Sequence, residues 1–132
     1  MLDNILLVDD EPGVLLTLGA ILAREGFWVD TAASAKEAIQ KLKTGVFHLV
    51  ITDMRMESMS AGYRVLEAAN AQPHIPVTVI LTGHAAQCAD WQARGASALF
   101  EKPVNIEDLL LSIDTLLHSP QVPTPQSWGT QP

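Results

Sequence analysis

The most informative stretch of the chain for its architecture is Ile5-Leu6-Leu7-Val8-Asp9-Asp10-Glu11-Pro12, in which a short apolar run passes directly into three acids and a proline. Four consecutive apolar residues fit a parallel strand that helices cover on both faces. Proline suits the first position of a helix, so Pro12 predicts a helix soon after the strand. The stretch therefore predicts a strand–helix unit with acids at its junction.

The same strand–helix pattern repeats along the chain. Further short apolar runs predict strands at residues 27–29, 47–51, 77–81 and 98–100. Apolar residues at helical spacing predict helices after the first, second, third and fifth strands, on the stripes Val14/Leu15/Leu18/Ile21/Leu22, Ala35/Ala38/Ile39/Leu42, Val65/Leu66/Ala69 and Leu109/Leu110/Ile113/Leu116/Leu117. The Ala-rich segment 85–94 predicts the fourth helix. Five strand–helix units predict an α/β fold with an open, doubly wound parallel sheet and right-handed crossovers.

Residues with known capping preferences mark several helix ends. Ser34 with Glu37 three residues later predicts a capping box at the start of the second helix, and Asn105 predicts the cap of the last one. Gly26 and Gly45 predict the ends of the first and second helices.

Composition limits the class of protein. The 132 residues are 48% hydrophobic and carry a net charge of -7, which fits one folded domain and disfavours direct binding to nucleic acid or to an anionic membrane. The single cysteine, Cys88, cannot form an internal disulfide, so we expect a reducing, cytoplasmic setting and a packed thiol. The start of the chain has no basic region and no apolar stretch long enough for a signal peptide or a membrane span.

The character of the chain changes near its end. Residues 119–132 contain four prolines among Gln, Ser, Thr and Gly, which predicts an extended linker or disordered tail after a folded domain at residues 1–118. Trp128 could be a docking residue within that tail, and the alternative is a plain linker before a further domain.

Polar residues follow four of the predicted strands, at the edge where an open parallel sheet binds its ligands. The strand ends read Asp9-Asp10-Glu11, Thr52-Asp53, Thr82-Gly83-His84 and Glu101-Lys102-Pro103. We therefore expect three acids, a hydroxyl and an ammonium group to converge on one rim of the sheet.

Carboxylates packed on one rim require a compensating cation. Each ionised pair about 4 Å apart costs on the order of 4 kcal/mol at an effective dielectric near 20. Lys102 supplies one positive charge, and Mg²⁺ suits a site with few carboxylates and several waters. Simpler roles remain open for single residues: Asp10 could cap the helix at Pro12, and Thr82 could be an ordinary strand residue. The joint placement of these residues at four strand ends favours a site.

Five stretches of the chain carry a resemblance to a known family. They are Ile5-Leu6-Leu7-Val8-Asp9-Asp10-Glu11-Pro12, Leu49-Val50-Ile51-Thr52-Asp53-Met54-Arg55-Met56, Ile80-Leu81-Thr82-Gly83-His84, Arg94-Gly95-Ala96 and Phe100-Glu101-Lys102-Pro103. Across about residues 3 to 118 the sequence resembles the receiver domain of two-component response regulators. The ordered set of an acid pair, a lone Asp, a Thr and a Lys-Pro pair makes the match specific. The resemblance implies a flavodoxin-like sheet in the order 2-1-3-4-5.

The resemblance also implies roles for the acids. Asp53 would be the residue that accepts a phosphoryl group. Asp10 and Asp53 would bind Mg²⁺, Asp9 would do so more often through water, and the backbone carbonyl of Arg55 would be a further ligand.

Two other site residues have roles implied in the same way. Thr82 would hydrogen-bond the phosphoryl oxygens, and Lys102 would pair with the phosphate across a cis Lys102–Pro103 bond. The added charge would repack the face built by the fourth helix, the fifth strand and the fifth helix, which could also serve for homodimerisation.

The chain departs from the family pattern at two places. An aromatic residue usually stands three positions before the Lys, where this chain has Leu99, and Phe100 is expected to face the other side of the strand. The loop after Asp53 reads Met56-Glu57-Ser58-Met59-Ser60-Ala61-Gly62, without the usual proline and with one extra residue, so we expect it to differ in shape. Arg55 and His84 flank the site at positions that tune phosphoryl lifetime in the family.

Three functional hypotheses follow. The first is a switch that takes a phosphoryl group from a sensor histidine kinase or phosphotransfer protein onto Asp53, with an effector domain after residue 132. The second is a receiver-like module that binds proteins without phosphorylation, which Leu99 and the altered loop favour. The third, a phosphatase, is disfavoured because Arg55 stands where such enzymes place a general acid. We therefore expect a domain that assists only its own phosphorylation and dephosphorylation, and not an enzyme.

Overall fold

The computed structural model describes residues 3–118, which form a five-stranded parallel sheet in the order β2-β1-β3-β4-β5. The strands are β1 (Asn4–Val8), β2 (Trp28–Ala32), β3 (Leu49–Asp53), β4 (Val77–Thr82) and β5 (Ala98–Glu101). The helices are α1 (Pro12–Arg24), α2 (Ala35–Thr44), α3 (Ala61–Asn70) and α4 (Ile106–His118), with a 3₁₀ helix at Ala85–Cys88. The predicted α/β class and strand order are confirmed. The proposed tail at residues 119–132, including Trp128, lies outside the described residues.

Helices cover both faces of the sheet, as the apolar strands require. Helices α1 and α4 pack on one face through Leu18, Leu22, Leu109 and Ile113. Helices α2 and α3 pack on the other through alanines and small aliphatic side chains, including Ala35, Ala38 and Val65. The central strand β3 is buried along its whole length, which places its last residue, Asp53, inside the protein rather than on its surface.

Strand β2 is longer than its apolar run predicts. The sequence indicates residues 27–29, whereas the strand covers Trp28–Ala32 and alternates between exposed and covered positions. It is an edge strand paired only with β1 among the strands described, so Asp30 and Thr31 are tolerated within it. Lys41 contacts this edge, since its Nζ lies 2.8 Å from Asp30 Oδ1 and donates to the Thr31 carbonyl at 2.6 Å.

The predicted helix caps are present. Ser34 Oγ accepts from the Glu37 amide at 3.1 Å, and the Glu37 carboxylate returns to the Ala33 amide, one residue before the expected position. Asn105 Oδ1 accepts from the Asp108 amide at 3.0 Å. Gly26 has a φ of 102°, which only glycine adopts readily, so it ends α1 as predicted.

The prediction of an α-helix over residues 85–94 is wrong. The segment forms one short 3₁₀ helix at Ala85–Cys88 and then a series of turns. Only Cys88 is buried, and Trp91 is partly covered, so the segment lacks an apolar stripe that could pack a continuous helix. The predicted face of fourth helix, fifth strand and fifth helix is therefore built from turns, β5 and α4.

No helix within residues 3–118 is both long enough and apolar enough to cross a bilayer.

Candidate functional site

The predicted site residues meet at the carboxyl edge of the sheet. Asp53 ends β3 and Thr82 ends β4, while Asp9 and Lys102 directly follow β1 and β5. The register aligns Val8 with Thr52, and Asp53 with Leu81, so the neighbouring strands end at nearly the same level. The convergence predicted from the four strand ends is confirmed.

Three carboxylates form the centre of the site. Asp9, Asp10 and Asp53 each place one carboxylate oxygen within 4.8 Å of the others. Asp9 and Asp53 are only 1% and 8% exposed, whereas Asp10 is open to solvent. The N-cap of α1 is Glu11 and has no side-chain capping bond, so the alternative role of Asp10 as the helix cap is not supported.

Lys102 joins the carboxylates from the end of β5. Its Nζ lies 3.0 Å from Asp9 Oδ2, 3.2 Å from Asp53 Oδ2 and 3.5 Å from Glu11 Oε1. Burial of the ammonium opposes its charge, but the hydrogen bond to Asp9 and the charges of Asp53 and Asp9 together raise the pKa of Lys102. Lys102 is therefore an ion-paired cation and not a solvated surface charge. The Lys102–Pro103 bond is cis, as expected.

Asp53 lies in a setting that disfavours its ionised form. Burial raises the pKa of its carboxyl most, the Lys102 charge lowers it, the Asp9 charge raises it again, and the net result is a raised pKa. Its Oδ1 accepts from the Met54 amide at 2.8 Å, while Oδ2 contacts Lys102. The carboxylate is thus held in one orientation by a backbone amide and an ammonium group.

Thr82 is fully buried at the end of β4. Its Oγ1 accepts a hydrogen bond from the His84 amide at 3.0 Å, and its carbonyl accepts from the Lys102 amide at 2.8 Å. The second contact ties the Thr82 backbone to that of the site lysine. His84 is exposed and does not belong to the acid cluster.

The loop from Met54 to Ser60 carries Arg55, which is half-buried. The Gly62 amide donates to the Met54 carbonyl at 2.8 Å, and the Met56 amide donates to the Ser58 carbonyl at 3.1 Å. The Glu57 carboxylate accepts from the Ala35 and Lys36 amides at 2.9 and 3.0 Å.

Glu57 and Gly62 are supporting residues that sequence reasoning did not identify. Burial alone would raise the pKa of Glu57. The hydrogen bonds from the Ala35 and Lys36 amides act in the opposite direction and help to outweigh burial, so the pKa of Glu57 is lowered. A Cβ on Gly62 would lie 2.5 Å from the Asp53 carbonyl oxygen and 2.7 Å from Met54 Cα. Two features of the sequence could have pointed to these residues. The loop around Glu57 lacks the proline that is usual in the family, and Gly62 lies inside a segment with helical spacing.

The donor set fits an oxygen-binding divalent cation. Asp9, Asp10 and Asp53 supply carboxylate oxygens, which are the ligands that Mg²⁺ prefers, and Lys102 offsets only part of their charge. An exposed Asp10 leaves one side of the cluster open to solvent.

The expected orientations of Leu99 and Phe100 are confirmed. Leu99 packs beside the cluster of Met54, Leu66, Ile80, Cys88 and Ala96, on the face that carries α3. Phe100 packs on the opposite face, against the core formed with α1 and α4. An aliphatic side chain therefore occupies the position where the family usually has an aromatic one.

The fold and the site together define a receiver-type signalling domain. A family-wide sequence profile described as "Response regulator receiver domain" matches residues 5–114. The chain belongs to the response regulator receiver domain family of two-component systems, whose members are signalling modules and not classical enzymes.

Individual relatives agree with this assignment. The transcriptional regulatory protein GlrR of Escherichia coli (strain K12) is 35% identical over 95% of this chain. The chain spans 28% of the length of that regulator. A CheY-like receiver domain protein from Methanospirillum hungatei JF-1 superposes with a TM-score of 0.81 at 32% identity, covering 89% of this chain and 94% of that one.

A second solved structure similar to this chain contains a bound ligand. The response regulator TrrA from Thermotoga maritima, in complex with Mg(2+)-BeF, superposes with a TM-score of 0.78 at 29% identity, covering 88% of this chain and all (100%) of that one.

Proposed function

We propose that this domain is a phosphorylation-dependent signalling switch that accepts a phosphoryl group on Asp53 with Mg²⁺ bound at the adjacent acids. The observation that carries the proposal is the buried Asp53 carboxylate, which is held by the Met54 amide at 2.8 Å and by Lys102 at 3.2 Å beside Asp9 and Asp10. A buried acid with a raised pKa at a strand end is typical of a functional group rather than a structural one.

The chemistry follows from the residues present. A carboxylate oxygen of Asp53 attacks the phosphorus of a phosphohistidine whose second ring nitrogen is protonated. The P–O bond forms, the P–N bond breaks, and the neutral imidazole leaves with the proton that it already carried. Lys102 offsets charge on the transferring group. Asp9, Asp10, Asp53 and the Arg55 carbonyl would hold Mg²⁺, which supplies electrostatic stabilisation of the phosphoryl oxygens. The Thr82 hydroxyl would donate a hydrogen bond to the phosphoryl oxygens. The same site would later assist hydrolysis of the acyl phosphate on Asp53.

The proposed partners follow from the chemistry and from the relatives. The donor would be a sensor histidine kinase or a phosphotransfer protein. An effector domain after residue 132 is supported by the short span of the chain relative to GlrR, a transcriptional regulator. The net charge of -7 disfavours direct binding to nucleic acid or to an anionic membrane, and the single cysteine, Cys88, fits a reducing, cytoplasmic setting. A homodimer would use β5, α4 and the turns at residues 89–95.

Phosphorylation is tested directly by incubating the protein with acetyl phosphate and Mg²⁺ and measuring its intact mass. Wild type should gain one phosphoryl group, and Asp53→Ala should gain none. Asp114→Ala is a matched control, because Asp114 is an exposed acid on α4 outside the site, and it should behave as wild type. An unmodified wild type, or an undiminished adduct in Asp53→Ala, would refute the proposal.

The alternative is a receiver-like module that binds its partner without phosphorylation. Leu99 and the turns that replace the predicted fourth helix favour it, because both alter the face through which the family is expected to transmit the signal. The alternative predicts that a regulatory partner binds wild type and Asp53→Asn equally well. A partner whose affinity rises on treatment with beryllofluoride and Mg²⁺ in wild type alone would exclude it.

A further inference from the structure

Glu57 links the loop beside Asp53 to a helix elsewhere in the chain. Its two carboxylate oxygens accept from the backbone amides of Ala35, at 2.9 Å, and Lys36, at 3.0 Å, in the first turn of α2. The two contacts join positions 22 and 21 residues apart in sequence. The loop between β3 and α3 is therefore fastened to α2 by a side chain of its own.

Helix α2 has a separate cap that does not involve this loop. Ser34 Oγ accepts from the Glu37 amide at 3.1 Å, and the Glu37 carboxylate accepts from the Ala33 amide at 2.8 Å. These bonds satisfy the start of the helix in the ordinary local way. Since α2 is already capped, the main consequence of the Glu57 contact is to fix the loop between β3 and α3.

The Glu57 contact closes a very short span of backbone. Met54 is buried, and its carbonyl accepts from the Gly62 amide at 2.8 Å, so the loop is fixed at its first residue. Glu57 is fixed on α2 three residues later. Only Arg55 and Met56 lie between these two points, and the Met56 amide is itself bound to the Ser58 carbonyl. The conformation of Arg55 is therefore determined from both sides.

The same contact places the Glu57 carboxylate where an anion is stable. It lies at the N-terminus of α2, where backbone amides and the helix dipole stabilise a negative charge.

We infer that Glu57 is a positioning residue for the divalent-cation site, because it fixes the backbone of Arg55, whose carbonyl is the proposed additional ligand. The inference rests on the proposed function, since it assigns a support to that same site. Residues that orient metal ligands without touching the metal commonly change its affinity by about 10- to 100-fold when they are removed.

The test compares Mg²⁺ affinity in wild type, Glu57→Ala, Glu57→Gln and Ser34→Ala by calorimetric titration. Glu57→Ala should weaken binding about tenfold. Glu57→Gln should lose less, because one amide oxygen can still accept from the first turn of α2. Ser34→Ala is the matched control: it removes the other cap of the same helix without releasing the loop, and its Mg²⁺ affinity should equal that of wild type.

Amide hydrogen exchange without metal gives a second readout. The Ala35 and Lys36 amides should exchange faster in Glu57→Ala than in wild type, whereas in Ser34→Ala the Glu37 amide should respond. Equal Mg²⁺ affinity in wild type and Glu57→Ala would overturn the inference and leave the proposed function intact. Equal weakening in Ser34→Ala would also overturn it, because helix stability would then explain the effect. Failure of wild type to bind Mg²⁺ would instead refute the proposed function.

Discussion

Replacing Asp53 with asparagine should stabilise the metal-free protein at neutral pH, because burial and the Asp9 charge raise the pKa of Asp53 despite the nearby Lys102. A raised pKa in the folded state means that the folded protein binds this proton more tightly than the unfolded chain does. The ionised carboxylate therefore lowers stability above the folded-state pKa, and the effect is lost as the pH falls toward the ordinary Asp value. We expect a gain of about 0.5–2 kcal/mol at neutral pH that shrinks in acid.

Urea unfolding in a chelating buffer at several pH values measures this gain. Glu67→Gln, an exposed acid on α3, is the control and should change the unfolding free energy by less than about 0.5 kcal/mol. A loss of stability in Asp53→Asn at neutral pH would mean that the ion pair with Lys102 outweighs the cost of burial.

Gly62→Ala should be destabilising by about 1–3 kcal/mol, because the new Cβ would overlap backbone atoms that cannot move independently. Those atoms are the Asp53 carbonyl oxygen at 2.5 Å and Met54 Cα at 2.7 Å, so Asp53 itself should also be displaced. Gly13→Ala is the matched control, since nothing lies within 4 Å of its Cβ position in α1 and alanine favours a helix. Unfolding curves and the rate of modification by acetyl phosphate give the two measurements.

At the level of single residues, the sequence predicts what lies at strand ends and misses what acts through contacts distant in sequence. Asp9, Asp53, Thr82 and Lys102 are predicted because parallel strands end at a common edge. Glu57 is missed because its partners, Ala35 and Lys36, lie 22 and 21 residues away in the sequence. A carboxylate that binds a helix terminus looks, in the sequence, like any other exposed acid.

At the level of elements, the turns at residues 89–95 are held by side chains instead of a helical core. Tyr63, at the start of α3, donates its hydroxyl to Asp90 at 2.5 Å, and Arg94 Nε donates to the same carboxylate at 3.0 Å. The Arg94 guanidinium also lies 4.3 Å from the centre of the Tyr63 ring. Alanine content alone predicts a helix here, but these contacts and the sparse apolar pattern produce turns.

Tyr63→Phe should therefore loosen this segment without unfolding the domain. Cys88 is a natural probe, because it is 1% exposed and burial raises the pKa of its thiol, so a disulfide reagent should react with it slowly in the native protein. We expect the variant to react several-fold faster, with little change in the midpoint of urea unfolding. Cys88→Ser supplies the blank. An unchanged rate would mean that the hydroxyl contact with Asp90 does not hold the segment closed.

At the level of the whole molecule, the repeated pattern of buried strands and amphipathic helices predicts an open parallel sheet, whereas the strand order 2-1-3-4-5 was implied by the resemblance to receiver domains. Both faces of β1, β3 and β4 are apolar, which leaves few arrangements other than a covered parallel sheet. The edge strand β2 and the turns before β5 are the places where pattern and structure disagree most, and both lie where burial is incomplete. The third strand is shifted by only two residues, from the predicted 47–51 to Leu49–Asp53. Sequence periodicity reports burial, so it is least informative where burial is weakest.

The folded domain brings together charges that the unfolded chain keeps apart, so we expect its stability to depend on divalent cations. Asp9, Asp10 and Asp53 approach within 4.8 Å only when β1 and β3 are paired. A cation that binds this cluster therefore stabilises the folded state, by about 2.7 kcal/mol at a hundredfold excess over its dissociation constant. Mg²⁺ should raise the midpoint of thermal unfolding by on the order of 10 °C at that concentration.

The control for this effect is NaCl at matched ionic strength, which should give a much smaller rise because it only screens the acids. Asp10→Asn removes a carboxylate from the open side of the cluster and should reduce the Mg²⁺-dependent shift without disturbing the buried core, since Asp10 is exposed. An equal rise with NaCl, or a full Mg²⁺ shift in Asp10→Asn, would show that the cation acts on the overall charge of -7 and not on the three converging acids.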